Sequence, residues 1–137
     1  MIEYRTTPDG LTDEALKGFF VGWPNPPSPR TLRRILQGSY AVVVAVDAET
    51  GKAVGFINAV SDGVLSAYIP LLEVLPPYQK KGVGSKLTAL MLERLEGLYM
   101  IDLACDPHLE AFYRKLGFTP STAMIRRDYA AQAGRAG

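Results

Sequence analysis

The sequence predicts an α+β fold: one domain of three layers, in which a mixed central sheet of about six to seven strands carries helices on both faces. Three features predict it. Two apolar, β-branched runs, Tyr40–Val46 and Ala53–Val60, flank the turn-rich segment Asp47–Lys52, the pattern of a hairpin. From Val83 the period changes, and Val83, Leu87, Leu90, Met91 and Leu95 recur at three- and four-residue steps, as in an amphipathic helix. The length of 137 residues suits a single domain.

The elements follow in order. Ile2 to Arg5 reads as a short first strand. Leu11 to Phe20 places apolar residues at helical spacing, with Thr12 or Asp13 as a cap. The segment Gly22–Pro29 holds four prolines in eight residues and excludes helix or central strand. Ser28 before Pro29 marks a second helix start, and this helix runs through Leu32, Ile35 and Leu36 to Gly38. The hairpin Tyr40–Val46 and Ala53–Val60 comes next. The turn Ser61-Asp62-Gly63 then leads into a third strand of the central region, Val64–Val74. Pro70 lies inside that strand, and because proline removes a ladder donor it marks a bulge or a parting of strands.

The helix that begins at Val83 ends near Gly97. Met100–Cys105 reads as a strand, and Pro107–Leu116 as a helix closed by Gly117. Asp106 is its expected N-cap. Ala123–Tyr129 is the expected last strand. Residues 1–130 form the expected domain, with 131–137 a flexible Ala/Gly-rich tail.

Composition narrows the functional classes. Fifteen basic and fourteen acidic residues give a net charge of +1, which argues against a nucleic-acid-binding surface spread over the molecule. No apolar run approaches the ~18 residues of a membrane span. The N-terminus lacks a signal pattern. The single cysteine excludes an intrachain disulfide. These features suit a reducing cytoplasm. Metal ligands are scarce, since the one histidine, His108, stands three residues from Cys105 with no evident completing set.

Two local patterns carry chemistry. The first is Leu72-Glu73-Val74-Leu75-Pro76-Pro77-Tyr78-Gln79-Lys80-Lys81-Gly82-Val83-Gly84-Ser85-Lys86-Leu87. It reads as a strand, a basic glycine-containing loop and a helix start. A helix start leaves four N–H groups unpaired and carries partial positive charge, so it suits an anion. Gly82 and Gly84 let backbone approach that anion closely. A dinucleotide fold would want a third glycine where Leu87 stands, and the Gly-Lys-Ser/Thr of a P-loop is absent. The second pattern is Asp106-Pro107-His108-Leu109-Glu110-Ala111-Phe112-Tyr113-Arg114-Lys115-Leu116-Gly117-Phe118.

Together these segments resemble the GNAT superfamily of acyl-CoA-dependent N-acyltransferases, and the likeness runs well from Tyr40 through Phe118. The first is similar to that family's strand, [Q/R]-x-x-G-x-[G/A] loop and helix; the second is similar to its F-Y-x-K-x-G-F helix. The resemblance implies acetyl-CoA as cofactor, no metal, and a splayed strand pair that admits the pantetheine arm. It places the pyrophosphate on Gln79, Lys80, Lys81, Gly82, Val83, Gly84, Ser85 and Lys86. The arm then lies along backbone at Leu72, Val74 and Leu75, and Phe112, Tyr113 and Lys115 complete the cofactor contacts. The Val74 N–H becomes the donor to the thioester carbonyl. Asp106 departs from the Asn common at its place, and an anion there is less welcome beside CoA.

The implied reaction is direct attack of a primary amine on the thioester in a ternary complex. Tyr113 is the candidate acid toward the departing thiolate. Glu73, which points opposite Leu72 and Val74, is the first candidate base and Asp62 the second. Trp23, Phe56 and Tyr68 are candidate acceptor-site residues, though no signature reads out the acceptor, be it a small molecule or a peptide or protein amine. The alternative is a non-catalytic acyl-CoA-binding regulatory module. Edge pairing through Ala123–Tyr129 makes a homodimer an open expectation.

Overall fold

The computed structural model describes residues 1–137. Five strands form one sheet in the order β1 (Ile2–Arg5), β2 (Ala41–Asp47), β3 (Ala53–Ser61), β4 (Ser66–Val74) and β5 (Met100–Asp102). The first three neighbouring pairs are antiparallel and β4–β5 is parallel, so the sheet is mixed. Three α-helices accompany it: α1 (Pro29–Gly38), α2 (Val83–Arg94) and α3 (Glu110–Lys115).

Alternation along β2 builds both sides of the sheet. Val42, Val44 and Val46 join Phe56 beneath Leu16, Phe19, Phe20, Leu32 and Leu36, which come from the N-terminal segment and α1. Ala41, Val43 and Ala45 join Val54 and Ile57 against Val83, Leu87, Met91 and Leu95 on α2 and its end. This is the expected three-layer arrangement. Leu87, Met91 and Leu95 are at most 1% exposed, and burial of each such side chain is worth about 1.5–3 kcal/mol.

Local chemistry sets the helix ends. Ser28 Oγ accepts the Thr31 N–H at 3.1 Å, with Pro29 in the first turn of α1, as expected. The reading of Leu11–Phe20 as a helix is corrected: only a 3-10 turn, Glu14–Leu16, forms. Thr12 Oγ1 accepts the Ala15 N–H, but Gly18 (φ 98°) and Phe20 (φ 63°) take left-handed conformations that no α-helix continues through.

Three further expectations change. The sheet has five strands rather than six or seven, because Ala123–Tyr129 pairs with no strand of this chain. The strand expected over Met100–Cys105 keeps only three residues. Asp106 occupies the helix start, yet its side chain makes no capping bond. The C-terminal residues lie against the N-terminal half, with Gln132 Oε1 accepting the Asn25 N–H and the Arg135 carbonyl accepting from Arg34.

Pro70 does mark a bulge. Gly55 to Asn58 pair with Val74 to Leu71 in one register, whereas Val60 and Ser61 pair with Tyr68 and Ala67 in a register shifted by one. Just beyond Tyr68 the β4–β5 pairing also ends, since only Ser66, Ala67 and Tyr68 face Met100, Ile101 and Asp102. The two strands therefore part toward the α2 end of the sheet.

Candidate active site

The gap opens along β4. Leu75 N–H donates to the Val54 carbonyl at 2.8 Å, so strand alternation turns the N–H groups of Val74 and Leu72 away from β3 and into the gap. The Val74 carbonyl accepts from Gln79 Nε2 at 2.9 Å, which ties the following loop back to the strand and leaves the Val74 N–H open. Leu75 departs from expectation. Its N–H serves Val54, its carbonyl already accepts from Tyr78 N–H, and its side chain is buried in the core, so its N–H is not free for a ligand.

Below the gap is the start of α2. Gly82 occupies the N-cap with φ 83° and no side chain caps the helix. The first backbone bond into the helix is Lys86 N–H to the Gly82 carbonyl, so the N–H groups of Val83, Gly84 and Ser85 are open to an anion. Lys80 holds a left-handed φ of 61° without being glycine, the kind of backbone strain that clusters at ligand clamps. Lys80, Lys81 and Lys86 are exposed and make no ion pair within the chain. Lys81 Nζ sits 6.0 Å from the Tyr78 ring centroid.

The two glycines do different work. A side chain at Gly82 would have space but a strained φ; at Gly84, Cβ would meet the Phe112 ring at 3.6 Å and Val74 at 3.7 Å. These are ordinary contacts, so alanine would fit at Gly84 and only a larger side chain would push Phe112 or Val74 aside. The donor set fits a pyrophosphate-bearing cofactor such as coenzyme A: open N–H groups, three unpaired ammonium groups, and beside them a strand edge with free donors.

Across the gap, Tyr113 packs edge-to-face on Phe112 and Phe118, with centroids 4.9 Å and 5.8 Å away. Burial, with a smaller contribution from the neighbouring Cys105 thiol, pushes its phenol up to about 12. Tyr113 thus remains protonated at any physiological pH. Lys115 is exposed at the end of α3.

Along β4 lies a cavity of about 320 Å³ lined by Val21, Trp23, Phe56, Leu71, Leu72, Glu73, Val74, Pro76 and Gln79, so it takes in residues from both faces of the strand. Trp23 and Phe56 reach it as expected. Tyr68 does not line it; that residue lies on the paired part of β4, between Val60 and Asp102. Glu73 lines it, and its two carboxylate oxygens accept the N–H groups of Phe20 at 2.7 Å and Val21 at 3.2 Å. Phe20 (φ 63°) is held there while its ring packs against Trp23 and Phe56. Asp62, the second base candidate, is occupied elsewhere: one oxygen accepts the N–H groups of Val64, Leu65 and Ser66.

Sequence reasoning missed Val21, Leu71 and Pro76 as lining, because nothing local marks which loop residue meets which strand. It also missed Asn58, buried opposite Leu71. Asn58 Nδ2 donates to Ser39 Oγ while its Oδ1 has no partner.

Residues 9–118 match the family model described as the acetyltransferase (GNAT) family. A crystal structure of a provisionally assigned acetyltransferase from Deinococcus radiodurans R1 superposes with a TM-score of 0.97 at 46% identity, covering 99% of this chain and 94% of that one. The chain is 32% identical to GCN5-related N-acetyltransferase 1, chloroplastic, of Arabidopsis thaliana, over 83% of this chain and 59% of the relative. It is 33% identical to serotonin N-acetyltransferase 2, chloroplastic, of Oryza sativa subsp. japonica, over 89% of this chain and 64% of the relative. The chain thus spans about three-fifths of the length of these curated relatives.

Proposed function

The chain belongs to the GNAT acetyltransferase family, and on that premise we propose that it transfers an acetyl group from acetyl-CoA to a primary amine by direct attack in a ternary complex. The observation that carries this reading is the parting of β4 and β5 beside an uncapped helix start. One site thereby offers an anion cradle and a strand edge with free donors.

Acetyl-CoA supplies the activated acyl group; the chain supplies the rest. The N–H groups of Val83, Gly84 and Ser85, with Lys80, Lys81 and Lys86, hold phosphate oxygens. The Leu72 backbone pairs with an amide of the pantetheine arm, and the Val74 N–H donates to the thioester carbonyl as negative charge develops there. Tyr113 donates a hydrogen bond to the sulfur. With its phenol up near 12 and thiols near ~8.5, full proton transfer to the thiolate is uphill. Tyr113 therefore stabilises the leaving group by hydrogen bonding, and the proton shed by the attacking nitrogen neutralises it.

Glu73 lines the acceptor cavity and keeps lone pairs beyond those given to Phe20 and Val21. It attracts the incoming ammonium and accepts its proton directly or through water. Six of the nine lining residues are hydrophobic, Trp23 and Phe56 among them, while polar atoms supply more than half of the exposed wall, which suits an amine on a compact aromatic body that also carries polar groups. The name of the rice relative agrees with that class.

The test is acetyl-CoA turnover against a panel of amines that includes serotonin, alkylamines, aminosugars and peptides, read by mass of the acetylated product. Turnover with aromatic or alkyl amines is expected. Tight CoA binding without acetylation of any amine would instead identify a non-catalytic acyl-CoA-binding module.

A further inference from the structure

Four residues, 79–82, join two fixed points around the anion cradle. Val83, the first residue of α2, is buried in the core. Tyr78, which closes the 3-10 turn Pro76–Tyr78, is half-buried with its ring against both core clusters. Between them Lys80 and Lys81 make no backbone–backbone hydrogen bond, and Lys80 keeps its left-handed φ of 61°. A strained residue persists only where its surroundings over-determine it, so the restraint must come from the ends. At the helix end it is burial. At the other end it is two side-chain bonds: Gln79 Nε2 reaches the Val74 carbonyl, and the Tyr78 hydroxyl donates to Asp47 Oδ2 at 3.2 Å, across 31 residues of chain.

Asp47 is itself held firmly. It ends β2, and its other oxygen, Oδ1, accepts the Glu49 N–H at 2.9 Å. Its N–H donates to the Lys52 carbonyl and its carbonyl accepts from Gly51. The Glu49 N–H, with a smaller contribution from the phenol, holds the carboxyl below its usual range. An ionised carboxylate is a strong acceptor. The phenol thus ties the approach to the cradle to the β2–β3 turn. Lys81 Nζ stands 6.0 Å from the centroid of the ring held in this way, at the outer reach of a cation–π attraction. One side chain therefore restrains both the backbone and an ammonium group of the cradle.

We propose that Tyr78 and Asp47 are positioning residues for the pyrophosphate of the acyl donor: their hydrogen bond presets the backbone of residues 80–82 and the Lys81 ammonium before the cofactor arrives. The inference rests on the acetyl-CoA reading above, and neither residue lines the cavity beside β4. Preorganisation lowers the cost of binding, so its loss appears in affinity.

Titration of the full chain with CoA and with pantetheine, which lacks every phosphate, tests this by NMR. Tyr78→Phe keeps the ring and removes the bond. It should raise the Kd for CoA about three- to tenfold and leave that for pantetheine within about twofold of wild type. The KM for acetyl-CoA should rise with that Kd, while kcat at saturation stays within about twofold. Asp47→Ala should weaken CoA binding by a similar factor, and Tyr78→Phe should add nothing in that background. A variant with a damaged fold would lose affinity for both ligands alike. Unchanged CoA affinity in Tyr78→Phe, equal losses for the two ligands, or additive effects of the two substitutions would overturn the proposal. A wild type that binds neither ligand would overturn the acetyl-CoA reading, and this inference with it.

Discussion

Glu73 accepts the backbone N–H of Phe20 at 2.7 Å, across 53 residues of chain. This bond, with its companion from Val21, fixes a loop in a left-handed turn over the cavity beside β4. Hydrogen bonds to a charged group are worth about 1.5–3 kcal/mol. Glu73→Ala is therefore expected to lower stability by about 1–3 kcal/mol and to speed amide hydrogen exchange at Phe20 and Val21. Unchanged exchange at both amides would show that the carboxylate does not hold the loop.

Tyr113→Phe removes the phenol and keeps the ring packing on Phe112 and Phe118. Turnover should fall about ten- to a hundredfold, with CoA affinity within about twofold of wild type. The phenol also predicts an alkaline signature. Its folded pKa is raised, so its stabilising contribution is full below pH 10 and is lost as pH rises from 10 toward about 12. Ultraviolet titration should show the highest tyrosine transition vanishing in Tyr113→Phe.

Gly82 and Gly84 should fail differently when replaced. Gly82→Val forces a branched residue to φ 83° and should cost about 1–2 kcal/mol, while also raising the Kd for CoA. Gly84→Ala should be nearly neutral for stability, because its Cβ meets only ordinary contacts. Gly84→Leu must displace the Phe112 ring and should destabilise. Denaturant melts with and without CoA separate the cases; equal loss in Gly84→Ala and Gly84→Leu would contradict the packing role.

Three backbone N–H groups hold the Asp62 carboxyl below its usual 3.8. A depressed folded pKa gives stability that is present above pH 3.8 and lost as pH falls further. The stability difference between wild type and Asp62→Ala should therefore shrink below that pH. A difference constant from pH 6 to pH 2 would dismiss the carboxylate's role in the turn.

Much of this was legible in the residues because it rests on local chemistry. Ser28 and Pro29 name a helix start, Gly82 an uncapped turn, and the β-branched runs a hairpin. The harder parts are those decided at a distance. Leu11–Phe20 has helical spacing, yet the tertiary bond from Glu73 to Phe20 favours a left-handed turn that no local pattern displays. Leu75 reads as one more strand residue until its N–H is found on Val54. Ala123–Tyr129 has strand composition but meets no partner in its own chain, since composition specifies a tendency and not a neighbour.

The bulge at Pro70 acts as a parity switch. Strict alternation from Ala67 and Ile69 would carry Leu71 and Glu73 to the α2 side and send Leu72 and Val74 to the other. The extra residue inverts this, so Leu72 and Val74 join the α2 core while Leu71 and Glu73 face the N-terminal layer. Deleting Pro70 would remove the extra residue and leave both faces as they are. Pairing β4 without the bulge while all its residues remain would instead aim a carboxylate at Leu87 and strip the Phe20 loop of its anchor, exchanging inside for outside along the whole second half of β4.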